Sequence, residues 1–240
     1  MDLTPPSDGQ ELSGWLASLL QFSDSLFPTG SYAHSFGLEG AVQLGWVYDA
    51  PSLGDFVRHF ILPALQHFEL PFLAHAFQAA KDGKVERLCQ IDQQYGAMKG
   101  SRELRQASAR LGSQRLSMGT QLSVHPLLKR LEACRRDGRI EAHSPIVFGV
   151  QSAVDGAPLD AALTACYFQA LASFLSASMK LIRIGQSGCQ TLLGEFVRRS
   201  ASTTGMNTLS LSRSSTRPPD SSRAMLCVWM PESRRGPVCI

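Results

Sequence analysis

The chain is 240 residues long, 44% hydrophobic and formally +3 at neutral pH, which suits one large domain or two small ones with a sizeable core. No apolar run approaches the ~20 residues needed to span a bilayer, and the polar start, MDLTPPSDGQEL, lacks a secretory h-region. The six cysteines are scattered, with no Cys-x-x-Cys pair; this argues against a zinc site and a small disulfide scaffold and favours a reduced, cytoplasmic setting.

Residues 1–10 are read as a flexible start. The first helix is expected from Glu11 to about Phe22, because Leu12, Trp15, Leu16, Leu19 and Leu20 repeat at the spacing of one buried helical face. The chain then breaks at Phe27-Pro28-Thr29-Gly30. The connection carries Phe27, Tyr32 and Phe36 and little charge, too much aromatic surface for a solvated loop. It is expected to pack against the body or a partner, with Gly30 and Gly37 meeting a positive φ or a close approach. A second helix begins near Gly37 and stops before Asp49-Ala50-Pro51. Ser52 is the expected N-cap of the third, whose apolar residues run from Leu53 to Leu65. Pro63 should kink or split it, and Pro71 should open a separate helix over 72–80.

Helices are expected over 85–98 and 102–118, the second with Leu104, Ala107, Leu111 and Met118 inward and Arg102, Arg105, Arg110 and Arg115 largely outward. A short helix covers 124–134, Pro145 opens another, and Pro158 starts the longest, with a broad apolar stripe from Leu159 to Ile182. Such a helix belongs at the centre of a bundle. The last helix runs over 187–197. Period-two β-branched runs are missing from residues 1–196. The expected architecture is all-α, a single helical-bundle domain over 11–199 with about nine or ten helices.

Residues 197–240 hold seven arginines against Asp220 and Glu232, a net +5, which leaves residues 1–196 at −2. The basic character therefore belongs to the tail and does not indicate a folded nucleic-acid surface. Residues 200–240 are rich in Ser and Arg and are expected to be disordered.

No phosphate-binding G-x-x-x-x-G-K-[ST] is present. The histidines form neither H-x-x-x-H nor H-E-x-x-H, so no metal site and no cofactor is expected. His34, Ser35 and Glu39 are close in sequence, but a catalytic triad needs a base within hydrogen-bond reach and an oxyanion hole. A turn whose Ser caps the next helix explains them more simply. Arg105 and Lys180 read as solvated helix faces or structural ion pairs, with an arginine acting in trans on a GTPase as the sharper alternative.

Three segments, taken together, resemble the urease accessory protein UreF family. The first is Pro28, Gly30, Tyr32, Ser35, Gly37, Leu38 and Glu39. The second is Glu103-Leu104-Arg105-Gln106-Ala107-Ser108 with Gly112 behind it. The third is Ser144-Pro145-Ile146-Val147-Phe148-Gly149, followed by a helix ending in Lys180-Leu181-Ile182-Arg183-Ile184-Gly185-Gln186. The resemblance runs from about Leu16 to Leu193. It implies a non-enzymatic chaperone that bridges UreD (also called UreH) and the GTPase UreG, helps insert nickel into apo-urease, modulates the GTPase and forms a homodimer. It implies that Pro28, Gly30, Tyr32, Ser35, Gly37, Glu39, Glu103, Arg105, Lys180 and Gln186 serve partner binding or structure. Residues 200–240 do not look like the family's C-terminal segment, which docks on UreD; a divergent end or a shifted reading frame would explain the change. Two other readings remain on the residues alone: an orphan helical enzyme with a site around Tyr32, His34, Ser35 and Glu39, and a basic-tailed nucleic-acid adaptor.

Overall fold

The computed structural model describes residues 8–24, 27 and 37–198, with side chains from residue 14 onward. These residues form helices joined by turns, and no strand occurs among them. In chain order the helices are α1 (Asp8–Ser23), α2 (Leu38–Gln43), α3 (Ala50–Phe56), α4 (Leu62–Ala64), α5 (Leu70–Lys81), α6 (Val85–Met98), α7 (Arg102–Leu122), α8 (Pro126–Arg136), α9 (Ser144–Val154) and α10 (Leu159–Ser178). Residues 186–198 form α11. The all-α expectation holds for the described residues.

Local chemistry sets the helix ends. Gly45, at φ 73°, stops α2 well before Asp49. Trp46 N–H reaches back to the Ala41 carbonyl at 2.9 Å and Gly45 N–H to Val42 at 3.0 Å, the left-handed C-terminal closure that glycine permits. At α3 the cap is Asp49, not Ser52. Asp49 Oδ1 accepts from Ser52 N–H at 2.9 Å, and the Ser52 hydroxyl accepts from Asp49 N–H at 3.1 Å. Ser52 is thus the reciprocal member of a capping box.

The two prolines do not break the chain into separate helices. Residues 50–81 are one continuous helical rod, with π-helical turns at Val57–Ile61 and Leu65–Glu69, just before Pro63 and Pro71. A proline lacks the N–H for the i−4 carbonyl and crowds it; the wider turn relieves the crowding without ending the helix.

The pair α5 and α9 sits at the centre, between two apolar clusters. One face of the pair, with Leu73, Phe77 and Phe148, joins α1, α2, α3, α10 and α11. The other, with Phe72, Ala76, Val147 and Val150, joins α6, α7 and α8. Gly149 makes the pairing possible, because a Cβ there would stand 2.5 Å from the Leu73 carbonyl oxygen.

The helix α10 spans 20 residues with mean hydropathy 1.2, long and apolar enough by composition to cross a membrane, which the interrupted apolar run did not suggest. It is slightly shorter than α7, at 21 residues. Leu163, Tyr167, Leu171, Phe174 and Leu175 on α10 are buried in the first cluster, which makes it a core helix. Its opposite side is more open, with Phe168 43% exposed.

Candidate partner-docking site

The second motif opens α7. Ser101 caps this helix, its hydroxyl accepting from Leu104 N–H at 3.4 Å and donating to Glu103 Oε2 at 2.9 Å. Its own backbone N–H and the Ser101 hydroxyl hold the exposed Glu103 carboxyl below its usual range. Half-buried Arg105, one turn on, reaches the Lys99 carbonyl at 3.5 Å.

Beneath them lies a polar cluster that the sequence reading missed. Lys99 Nζ lies 2.5 Å from Glu69 Oε1 and donates to the Tyr95 hydroxyl at 2.7 Å, and that hydroxyl donates to Glu69 Oε2 at 2.7 Å. The Ser108 hydroxyl adds a 3.3 Å bond to Tyr95 and accepts from Ser144 N–H at 3.3 Å. Burial holds the Tyr95 hydroxyl well above its ordinary pKa, with the Glu69 charge adding to the effect. The only sequence signal for this cluster is the i, i+4 spacing of Tyr95 and Lys99 on one face of α6; Glu69 comes from a different helix. A cavity of about 150 Å³ adjoins the cluster and is also lined by Leu104, Arg115 and Cys166. Burial raises the Cys166 thiol to about 12, so it stays protonated. The network joins α6 to α7 and to the second π turn.

Arg115 overturns its expected outward position: it is 3% exposed. Its guanidinium lies 4.8 Å from the Phe148 ring centroid and 5.5 Å from that of Phe27. It donates to the Phe22 carbonyl at 2.7 Å and to Gln169 Oε1 at 3.1 Å. Burial lowers its pKa to about 10, still charged at neutral pH. The carbonyl it takes is one of those left open at the end of α1, so the cation ties α1, α7 and α10 together.

The third motif opens α9. Asp92, 1% exposed, accepts from the N–H groups of Glu141 at 2.8 Å, Ala142 at 3.2 Å and His143 at 2.7 Å. Burial raises the carboxyl and the three N–H bonds oppose the shift. This carboxyl group braces the turn in which Ala142 sits at φ 59°, a conformation rare for a residue with a Cβ, and it faces the positive end of α9. Behind the turn, His143 is 1% exposed and its ring meets that of Tyr95 at 4.7 Å, tilted by 46°.

Of the first motif, Pro28, Gly30, Tyr32, Ser35 and neighbouring His34 lie outside the described residues. Gly37 precedes α2 at φ 83°, a backbone conformation suited to glycine, and Glu39 is exposed in the first turn. Lys180 is exposed in the turn after α10, and exposed Gln186 begins α11. Among the described motif residues, Arg105 reaches the polar cluster, through the Lys99 carbonyl.

Comparison with known proteins gives a consistent result. Residues 47–197 match the family described as UreF. A urease accessory protein UreF of Haemophilus influenzae (strain PittGG) is 31% identical over 178 residues, 74% of this chain and 76% of the relative. One from Actinobacillus pleuropneumoniae serotype 5b (strain L20) is 31% identical over 180 residues, 75% and 79%. One from Arthrobacter sp. (strain FB24) is 30% identical over 176 residues, 73% and 76%.

Proposed function

The chain belongs to the UreF family of urease accessory proteins, and on that premise we propose that it is a non-enzymatic, cytoplasmic chaperone of urease maturation. It binds UreD (UreH) and the GTPase UreG together, modulates GTP hydrolysis by UreG, and so promotes delivery of nickel to apo-urease. Nickel is cargo in this scheme and needs no resident site on the chain. The protein works as a homodimer.

The observation that carries the reading is the family match across α3 to α11, with two of its motifs placed at helix openings. Glu103 and Arg105 stand at the start of α7, and residues 144–149 build the central α9. The rigid network of Glu69, Tyr95 and Lys99 supports the α7 end from below, as a presented surface requires. In this reading residues 11–199 form the working unit, flanked by residues 1–10 and 200–240.

The test is nickel incorporation. In cells that make urease, UreD and UreG but lack their own UreF, supplying this chain should raise the nickel content of purified urease. Unchanged nickel content, with the chain folded and present, would refute the proposal.

A further inference from the structure

The cavity of about 150 Å³ beside the polar cluster lies between the 50–81 rod, α7 and α10, and Leu65, Leu111 and Phe174 give it apolar walls. Ile61, Ala64 and Ser173, also in its lining, are half-buried, so the cavity borders solvent on that side. Its charges do not cancel. Glu69 and Lys99 pair with each other, and the Tyr95 hydroxyl and Cys166 thiol stay neutral. Arg115 is left over, a full positive charge that is 3% exposed.

The Arg115 guanidinium donates only to neutral oxygens, the Phe22 carbonyl and Gln169 Oε1, and no carboxylate pairs with it among the described residues. Its buried Nε has no hydrogen-bond partner among them. The faces of the Phe27 and Phe148 rings offset part of the cost of burying the cation, but they supply no anion. Buried charges in proteins are ordinarily paired, and an unpartnered buried donor calls for an explanation.

We propose that this cavity binds a small organic carboxylate, with its oxygens on Arg115 and an apolar body of about the size of one ring between Leu65, Leu111 and Phe174. A cavity of this volume lined by aliphatic and aromatic side chains takes a benzene-sized molecule. A charged group set in a mostly apolar wall is what orients and selects a ligand in such a site. A carboxylate is preferred to a neutral molecule of the same shape, because its bond to the guanidinium is charge-assisted and shielded from water. Glu69 does not oppose this, since Lys99 and the Tyr95 hydroxyl hold its charge.

Ligand-observed NMR titration of the full chain at neutral pH tests this, with sodium benzoate and with benzyl alcohol as the uncharged compound of similar shape. Benzoate should bind in the millimolar range or tighter, and about tenfold more tightly than benzyl alcohol. Leu111→Phe, which fills the space with a ring, should abolish binding of both. Arg115→Met keeps the apolar stem and removes the charge, and should bring benzoate down to the affinity of benzyl alcohol. Circular dichroism checks that each variant is folded; where one is not, the preference of the unmodified chain for benzoate decides. No binding of benzoate, equal affinity for the two compounds, or unchanged benzoate affinity in folded Leu111→Phe or Arg115→Met overturns the proposal. Because these measurements need only the purified chain, their failure is distinct from failure to bind urease accessory partners.

Discussion

Gly112 on α7 faces the backbone of Ala142 with no room for a side chain: a Cβ at Gly112 would overlap the Ala142 carbonyl oxygen and crowd His143 and Ser144. The turn that opens α9 is thereby pressed onto α7, while Asp92 holds it from α6. Two of the sequence motifs, the α7 opening with its trailing Gly112 and the 144–149 segment, meet at this contact.

Gly112→Ala and Gly149→Ala should therefore each destabilise the fold by about 2 kcal/mol or more, since backbone rather than a flexible side chain must move. Gly100→Ala, where nothing lies within 4 Å of a new Cβ, should change stability by less than about 0.5 kcal/mol. Urea unfolding of the three variants checks this. Equal midpoints would contradict the close approach.

Arg115→Ala should cost about 3 kcal/mol, because it removes charge-assisted bonds to Phe22 and Gln169 and empties the space between Phe27 and Phe148. Thermal unfolding measures the loss. A substitution without effect would mean that the guanidinium does not hold α1 to α7.

His143 should make the fold acid-sensitive. Burial first, then the charges of Lys99 and Arg105, lower its pKa from 6.5 to about 4. The folded value lies below the unfolded one, so this contribution is complete above pH 6.5 and is lost as the pH falls toward 4. Linkage puts the loss at about 3 kcal/mol. Urea unfolding of the protein and of His143→Leu at pH 7 and pH 4 isolates the effect. The variant should lose less stability on acidification, and equal losses would contradict the assignment.

Arg105→Ala should weaken binding to UreD or UreG by about tenfold while leaving the melting temperature nearly unchanged, as expected of a partly exposed contact residue. Calorimetric titration of each partner reads the first quantity and thermal unfolding the second. A large stability loss with intact binding would make Arg105 a structural residue.

Much of the fold was legible because helical periodicity needs only one chain segment at a time. The stripes on α1, α7 and α10 gave helices of the right kind, and the motif at 144–149 marked α9. What failed depended on partners distant in sequence. Arg115 read as solvent-facing because nothing local shows that Phe22 and Gln169 supply oxygens for it. Pro63 and Pro71 read as breaks because a proline's missing N–H is visible in sequence, whereas a π turn that accommodates it is a property of the packed rod. Gly112 and Gly149 were recognisable as parts of motifs, but only tertiary contact explains why each must be glycine. Of the candidate site, Glu103 and Arg105 were named in advance. Their support from Glu69, Tyr95 and Lys99 was not, since it joins residues 26 to 30 positions apart.

The most direct measurement is the composition of the complex that this chain forms when mixed with purified UreD and UreG, determined by size-exclusion chromatography with light scattering. The expected result is one peak containing all three proteins, with no UreG retained by UreD when this chain is omitted. Elution of the folded chain apart from both partners, in the presence of guanine nucleotide and nickel, would contradict the proposed bridging.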